Sequence, residues 1–201
     1  MDAILSATRL LTGVRQLRWA LIGLSVPILG LSVSACVPAS KAIVADAGAN
    51  AKGDLRVPGN YRDRYQYLGT WAVAAEATAG SQQLHIVYAS PGAAAAHRAT
   101  GKFPDGTMLV KEVFGAKTGA MTTGTISRAN TLMGWFVMVK DSKNSHPGNK
   151  LWGDGWGWAW FDAGKPTKTT STDYKTDCLT CHLPAKATDW TYVEGYPILK
   201  K

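Results

Sequence analysis

The first 60 residues sort their apolar and polar positions into blocks, not periods. Residues 1–18 carry Arg9, Arg15 and Arg18 against Asp2, and residues 19–35 are then an almost unbroken apolar run. A basic stretch, an apolar run and a small-residue end form the layout of an export signal, here residues 1–35. Residues 36–59 are dominated by Ala, Gly, Ser, Lys and Asp with Pro38 and Pro58, a composition that predicts a flexible tether. Residues 60–67, with Tyr61, Arg62, Tyr65 and Tyr67, read as a short helix or turn packed on a core.

From Leu68 onward the dominant period is two. Residues 70–76 and 83–89 are rich in β-branched and aromatic side chains and flank the turn-prone Ala79-Gly80-Ser81. Ser90-Pro91-Gly92 then introduces a short alanine-rich helix over 93–98, with Ser as cap and Pro in its first turn. Pro104-Asp105-Gly106 marks a turn before a strand at 107–114. Residues 119–127 and 132–140 predict two further strands about a turn at Arg128-Ala129-Asn130. Residues 140–150 form a polar loop. Over 155–161 small and aromatic residues alternate, which lays Trp156, Trp158 and Trp160 along one sheet face. Residues 165–172 read as a loop and 173–180 as a helix. The sum is a β-rich α+β domain over 60–201, an antiparallel sheet with a few short helices.

That last helix leads into Cys178-Leu179-Thr180-Cys181-His182, and here composition gives way to chemistry. C-x-x-C-H is the attachment signal for a c-type haem. Two thiols at this spacing reach the two vinyl groups of one haem, and the following imidazole becomes an axial ligand of the iron. A bare C-x-x-C also serves zinc or a redox dithiol. Zinc wants a second ligand pair, and the only other cysteine is Cys36; a thioredoxin-like dithiol wants a βαβ context that is not there.

Cys36 closes Val33-Ser34-Ala35-Cys36, which fits a lipobox in which the cysteine is acylated. The same residues fit an ordinary cleavage site, and a retained anchor is the third reading of the apolar run. Covalent haem attachment in bacteria takes place outside the cytoplasmic membrane, so signal and motif agree on export to the periplasm. The only membrane contact expected of the mature protein is a lipid at Cys36. The formal charge is +8; the signal accounts for +2, leaving about +6 for the rest. No Lys/Arg cluster interleaved with aromatics supports a nucleic-acid surface. The excess suits acidic redox partners, anionic small molecules or a membrane surface.

Several segments together resemble cytochrome P-460 and its relative cytochrome c′-beta. They are the run from Phe103 to Val113, Trp135 to Asp141, Leu151 to Trp158, the C-x-x-C-H motif, and Asp189-Trp190 through Glu194-Gly195-Tyr196-Pro197. The resemblance implies a β-rich, usually dimeric, exported mono-haem protein with five-coordinate iron. In cytochrome P-460 a lysine is bonded to the haem ring and hydroxylamine is oxidised at the open site. Cytochrome c′-beta lacks the bond and binds nitric oxide.

The position matching the cross-linking lysine is Lys111. On a strand it shares a face with Thr107, Leu109 and Val113, while Met108, Val110, Glu112 and Phe114 share the other. It either runs along the haem edge or snorkels to a carboxylate such as Glu112. A methionine on the open iron position would make an electron carrier, and Met108, Met121, Met133 and Met138 are available; core packing is the expectation for Met133 and Met138. Oxidising hydroxylamine also removes protons, so a carboxylate or imidazole near the open face would assist. The family's active members use an acid there, for which Asp154 and Asp162 are the candidates. A wall of Phe103, Phe114, Phe136 and tryptophans would favour gas binding instead. His85 reads as a hydrogen-bonded core or surface residue, His97 as solvated and His146 as a loop residue.

Two functions follow. One is oxidation of hydroxylamine, with or without nitric oxide chemistry, passing electrons to a periplasmic cytochrome. The other is a non-catalytic haem protein that binds nitric oxide or carries electrons.

Overall fold

The computed structural model describes residues 48–200. The expected signal at 1–35, Cys36 and the first part of the tether lie outside the described residues. A short helix α1 (Tyr61–Arg64) precedes β1 (Gln66–Ala74) and β2 (Ser81–Ala89); α2 (Ala93–Thr100) then leads to β3 (Met108–Met121), β4 (Gly124–Lys140), β5 (Trp152–Gly153) and β6 (Trp156–Asp162). Among the described residues these strands form one antiparallel sheet in the order β1-β2-β3-β4-β6-β5. The chain closes with a π-helical turn at Lys175–Leu179, a short helix α3 (Thr180–His182), and 3-10 turns at Leu183–Thr188, Val193–Gly195 and Pro197–Leu199. This is the β-rich α+β architecture that the period-two pattern predicts.

Alternation along the strands gives the sheet two apolar faces, and both are covered. One face turns Val87, Leu109, Met138 and Trp158 toward the C-terminal segment, where Cys178, Trp190, Tyr196 and Leu199 close over it. The other turns Met108, Val110, Val137, Val139 and Phe161 toward α1 and the residues before it. The three tryptophans of β6 share the first face, in register with β4 through Met138↔Trp158 and Phe136↔Trp160.

On the second face Glu112 is 2% exposed and accepts hydrogen bonds from the Tyr61 hydroxyl and, at 2.6 Å, from the Arg62 guanidinium. The Trp135 indole donates to the same Tyr61 oxygen at 2.9 Å. A carboxylate buried there without these partners would cost several kcal/mol, roughly. The network is what lets a charged residue sit among apolar neighbours.

Three expectations change. Residues 48–59 belong to the folded body: Leu55, Val57 and Pro58 are buried, Ala49 bridges Leu55, and the Trp152 indole donates to the Gly53 carbonyl at 2.8 Å. Small residues dominate the stretch, but Leu55 and Val57 are spaced to bury one side of an extended chain. The predicted turn at Arg128-Ala129-Asn130 is instead mid-strand, pairing Lys117↔Arg128 and Ala116↔Ala129. The hairpin reverses between Met121 and Gly124, with Gly124 at φ 120°, and its exposed far end needs no apolar face to remain a strand. Ser90 does not cap α2: left-handed Gly92 precedes the helix, and the Ser90 hydroxyl accepts the Met108 N–H.

The packed reading of residues 48–59 has a direct test. Leu55→Ala is expected to lower unfolding stability by about 2–5 kcal/mol, as for a buried leucine. A tether would lose nothing. Urea denaturation of wild type and variant distinguishes the two.

Candidate functional site

Between the first sheet face and the C-terminal segment lies an apolar-walled cavity of about 280 Å³. Its floor is one continuous stripe across the sheet: Trp71 and Val73 from β1, His85 and Val87 from β2, Leu109 and Lys111 from β3, and Phe136 and Met138 from β4. The register explains the grouping. Trp71 lies opposite His85, Val87 opposite Lys111, Lys111 opposite Phe136, and Leu109 opposite Met138. The roof is Cys181 and His182 with Trp190, Thr191, Tyr192 and Tyr196.

The roof sits close because two glycines allow it. A Cβ on Gly195 would collide with the Trp71 ring, and one on Gly69 would strike the Gly195 carbonyl at 2.6 Å. The Arg98 guanidinium of α2 ties the end of the segment down by donating to the Ile198 carbonyl at 2.7 Å.

His182 is oriented from behind. Its Nδ1 donates to the Trp190 carbonyl at 2.8 Å, which leaves Nε2 as the nitrogen free to act as a ligand. The Trp158 ring stands edge-on to the imidazole at 5.0 Å and limits its rotation. Burial, aided by the Lys111 charge and opposed by the Trp190 bond, holds the imidazole below its usual value and so neutral.

The Trp190 carbonyl is aimed by a turn in which Asp189 (φ 57°) and Trp190 (φ 63°) both adopt the left-handed conformation. For a residue as bulky as Trp this is an outlier, costing of order 1–3 kcal/mol. What holds it is a buried ion pair. The Lys140 ammonium lies 2.6 Å from the Asp189 carboxylate, both side chains under a tenth exposed, and the Phe103 N–H donates to the other carboxylate oxygen at 2.9 Å.

Lys111 points into the cavity with its ammonium 4.3 Å from the centre of the Phe136 ring. Burial depresses its basicity, the two cysteine sulfurs acting in the opposite sense. Pairing with Glu112 does not occur, because strand alternation puts Glu112 on the opposite face with Tyr61 and Arg62. Cys178 is buried behind the cavity, its thiol pushed up to about 11 by burial, with Asp177 adding to the effect. Such a thiol is a poor redox nucleophile at neutral pH. Cys178 and Cys181 are not disulfide-bonded, and no group of three or more metal-ligating side chains occurs among the described residues.

The acid candidates are placed elsewhere. Asp154 accepts the Tyr174 hydroxyl at 2.9 Å and Asp162 accepts the Trp160 indole at 2.9 Å; neither lines the cavity. Asp162 shares the parity of the β6 tryptophans but sits at the strand's end, past the cavity. Of the methionines Met138 lines the cavity, whereas Met108 is buried on the other face and Met121 and Met133 are exposed. His97 is buried against Phe103 rather than solvated, and His146 packs on Trp152. His85 is hydrogen-bonded, as its sequence reading expects, and it also lines the cavity, which that reading did not foresee. Its signal was the alternation that pairs it with inward-facing Val87 two residues on.

A C-x-x-C-H motif roofing an apolar cavity, with its imidazole set by a backbone carbonyl, defines a haem protein of the c type. The cytochrome P460 family model matches residues 58–193, and the chain belongs to that family. No curated protein matches it.

Removing the ion pair that aims Trp190 tests this construction. Asp189→Asn leaves Lys140 buried and unpaired and is expected to cost about 3–5 kcal/mol. The double variant Asp189→Asn with Lys140→Met is expected to recover part of that loss. Denaturant midpoints of the three proteins give the answer.

Proposed function

We propose that this chain is an exported mono-haem c-type cytochrome that reacts with a small nitrogenous ligand, oxidising hydroxylamine or binding nitric oxide. Cys178 and Cys181 hold one haem covalently and His182 binds its iron. Bound there, the haem supplies an open coordination position and a one-electron couple. The observation that carries the reading is one cavity shared by Cys181, His182 and Lys111, with a neutral imidazole and an amine of lowered basicity.

Lys111 is the residue for the haem edge. Among the described residues no carboxylate lines the cavity beside its amine, and burial favours the neutral, nucleophilic form. This supports a bond from Lys111 to the haem. The walls around the place for the haem are mostly apolar, which suits a small neutral ligand. Electrons pass to a periplasmic cytochrome, for which the basic balance suits an acidic partner. The homodimer and a lipid at Cys36 follow from the family resemblance and the lipobox.

A second reading has its own support. No Asp or Glu lines the cavity among the described residues. A wall so poor in acids fits nitric oxide binding without turnover.

Spectra of the holoprotein separate the readings. A Lys111 bond perturbs the ring's conjugation and red-shifts the ferrous Soret band far beyond that of an ordinary c-haem. Lys111→Met should restore the ordinary band, and wild type should turn over hydroxylamine with an electron acceptor. An ordinary spectrum in wild type with no turnover eliminates the enzyme. Cys178→Ala with Cys181→Ala should abolish haem that survives denaturing electrophoresis.

A further inference from the structure

We propose that His85 is the cavity's proton acceptor, taking the proton of a protic ligand on its Nδ1 as that ligand enters the iron site. The inference rests on the open haem site proposed above and adds the residue that handles protons there.

The first observation is position. His85 lines the same cavity as Cys181 and His182. It lies across β2–β3 from Val113, a diagonal neighbour of Lys111, a relation that spans about 7–8 Å in an antiparallel pair. With His182 committed to the iron, His85 is the remaining imidazole among the lining residues, and no carboxylate competes with it.

The second is the state of its ring. Nε2 lies 2.9 Å from Oε1 of Gln83, two residues back on the same strand face. The Gln83 amide has its own orientation marker, its Nε2 donating to the Met133 sulfur at 3.7 Å. The amide oxygen therefore faces His85 and must accept, so Nε2 carries the hydrogen and Nδ1 the lone pair. A group fixed in one tautomer by a side-chain amide is a directed base.

The third is its charge. Burial, together with the Lys111 ammonium, lowers the imidazole to about 4, so its Nδ1 is unprotonated across the neutral pH range but a weak acceptor for as long as Lys111 carries its charge. The groups that line the cavity with it are Lys111 from β3, Cys181 and His182 from the motif, and Tyr192 and Tyr196 from the closing turns; β1 and β4 present Trp71, Val73, Phe136 and Met138. Lys111 is the one cationic side chain of that set. Loss of its charge, by substitution or by a bond to the haem, makes His85 more basic.

The step balances without redox chemistry. For hydrogen cyanide the H–C bond breaks, the proton goes to Nδ1, and the cyanide anion keeps the electron pair with which it binds. Nitric oxide has no proton to give. The test is stopped-flow binding of both to wild type, His85→Gln, His85→Leu and Lys111→Met holoprotein. Cyanide association should slow by about a hundred-fold in both His85 variants, with nitric oxide association within two-fold of wild type. In wild type whose Lys111 is a free ammonium the cyanide rate should fall as pH drops through about 4, whereas wild type bonded to the haem should match Lys111→Met. In Lys111→Met that acid limb should move toward higher pH. Equal cyanide rates in wild type and His85 variants overturn the assignment and leave the open site intact. Equal slowing of both ligands assigns His85 a steric role and also overturns it. Failure of wild type to bind either ligand overturns the open site and this inference with it.

Discussion

The cavity depends on one buried ion pair. Lys140 ends β4 and Asp189 begins the turn over the sheet, so their 2.6 Å contact fixes the C-terminal segment to the strand that carries Phe136 and Met138. Burying two charges is costly, and a salt bridge in this position seldom adds net stability over an apolar pair. Its value here is geometric. It holds two consecutive left-handed residues whose relaxation would turn the Trp190 carbonyl away from His182. The Lys140 ammonium also lies 4.8 Å from the centre of the Trp156 ring, which offsets part of its desolvation.

Strand alternation does the rest of the sorting. Adjacent residues of β3 serve unrelated ends: Lys111 reaches the cavity, while Glu112 is locked into the Tyr61, Arg62 and Trp135 network on the reverse face. A one-residue slip of β3 would exchange them, placing a carboxylate in the cavity and an unpaired ammonium in the opposite core. Both buried networks oppose that slip, so the register of β3 is fixed by charge as well as by shape.

Much of this was legible in the sequence because alternation and a five-residue motif are local. The β-rich class, the single face of the β6 tryptophans, the parity of Lys111 and the placement of the C-x-x-C-H motif after a helical turn needed no tertiary information. The misplaced hairpin turn had a local cause: Thr122-Thr123 carries no turn signature, whereas Arg128-Ala129-Asn130 looks like one on an arm exposed on both faces. The packed half of the expected tether was hidden by composition, since Leu55 and Val57 are few among many small residues. Asp154 and Asp162 lie outside the cavity lining: Asp154 is held by Tyr174, 20 residues on, whereas Asp162 has a local partner in Trp160, two residues back on the same strand face. The pairing of Asp189 with Lys140 spans 49 residues and left no local trace.

Charge selection follows from the same arrangement. The cavity walls are mostly apolar, so a charge within is screened far less than in water. His85 and His182 are both held neutral there, partly by Lys111 itself. While Lys111 is protonated, the cavity repels a second cation and admits neutral or anionic ligands. A basic ligand would enter as its free base rather than as its conjugate acid, leaving its lone pair available for binding. Once Lys111 is neutral, that discrimination weakens and His85 gains basicity. The lysine thus sets which protonation state of a ligand enters and how strongly the neighbouring imidazole takes up its proton, two properties governed by one charge.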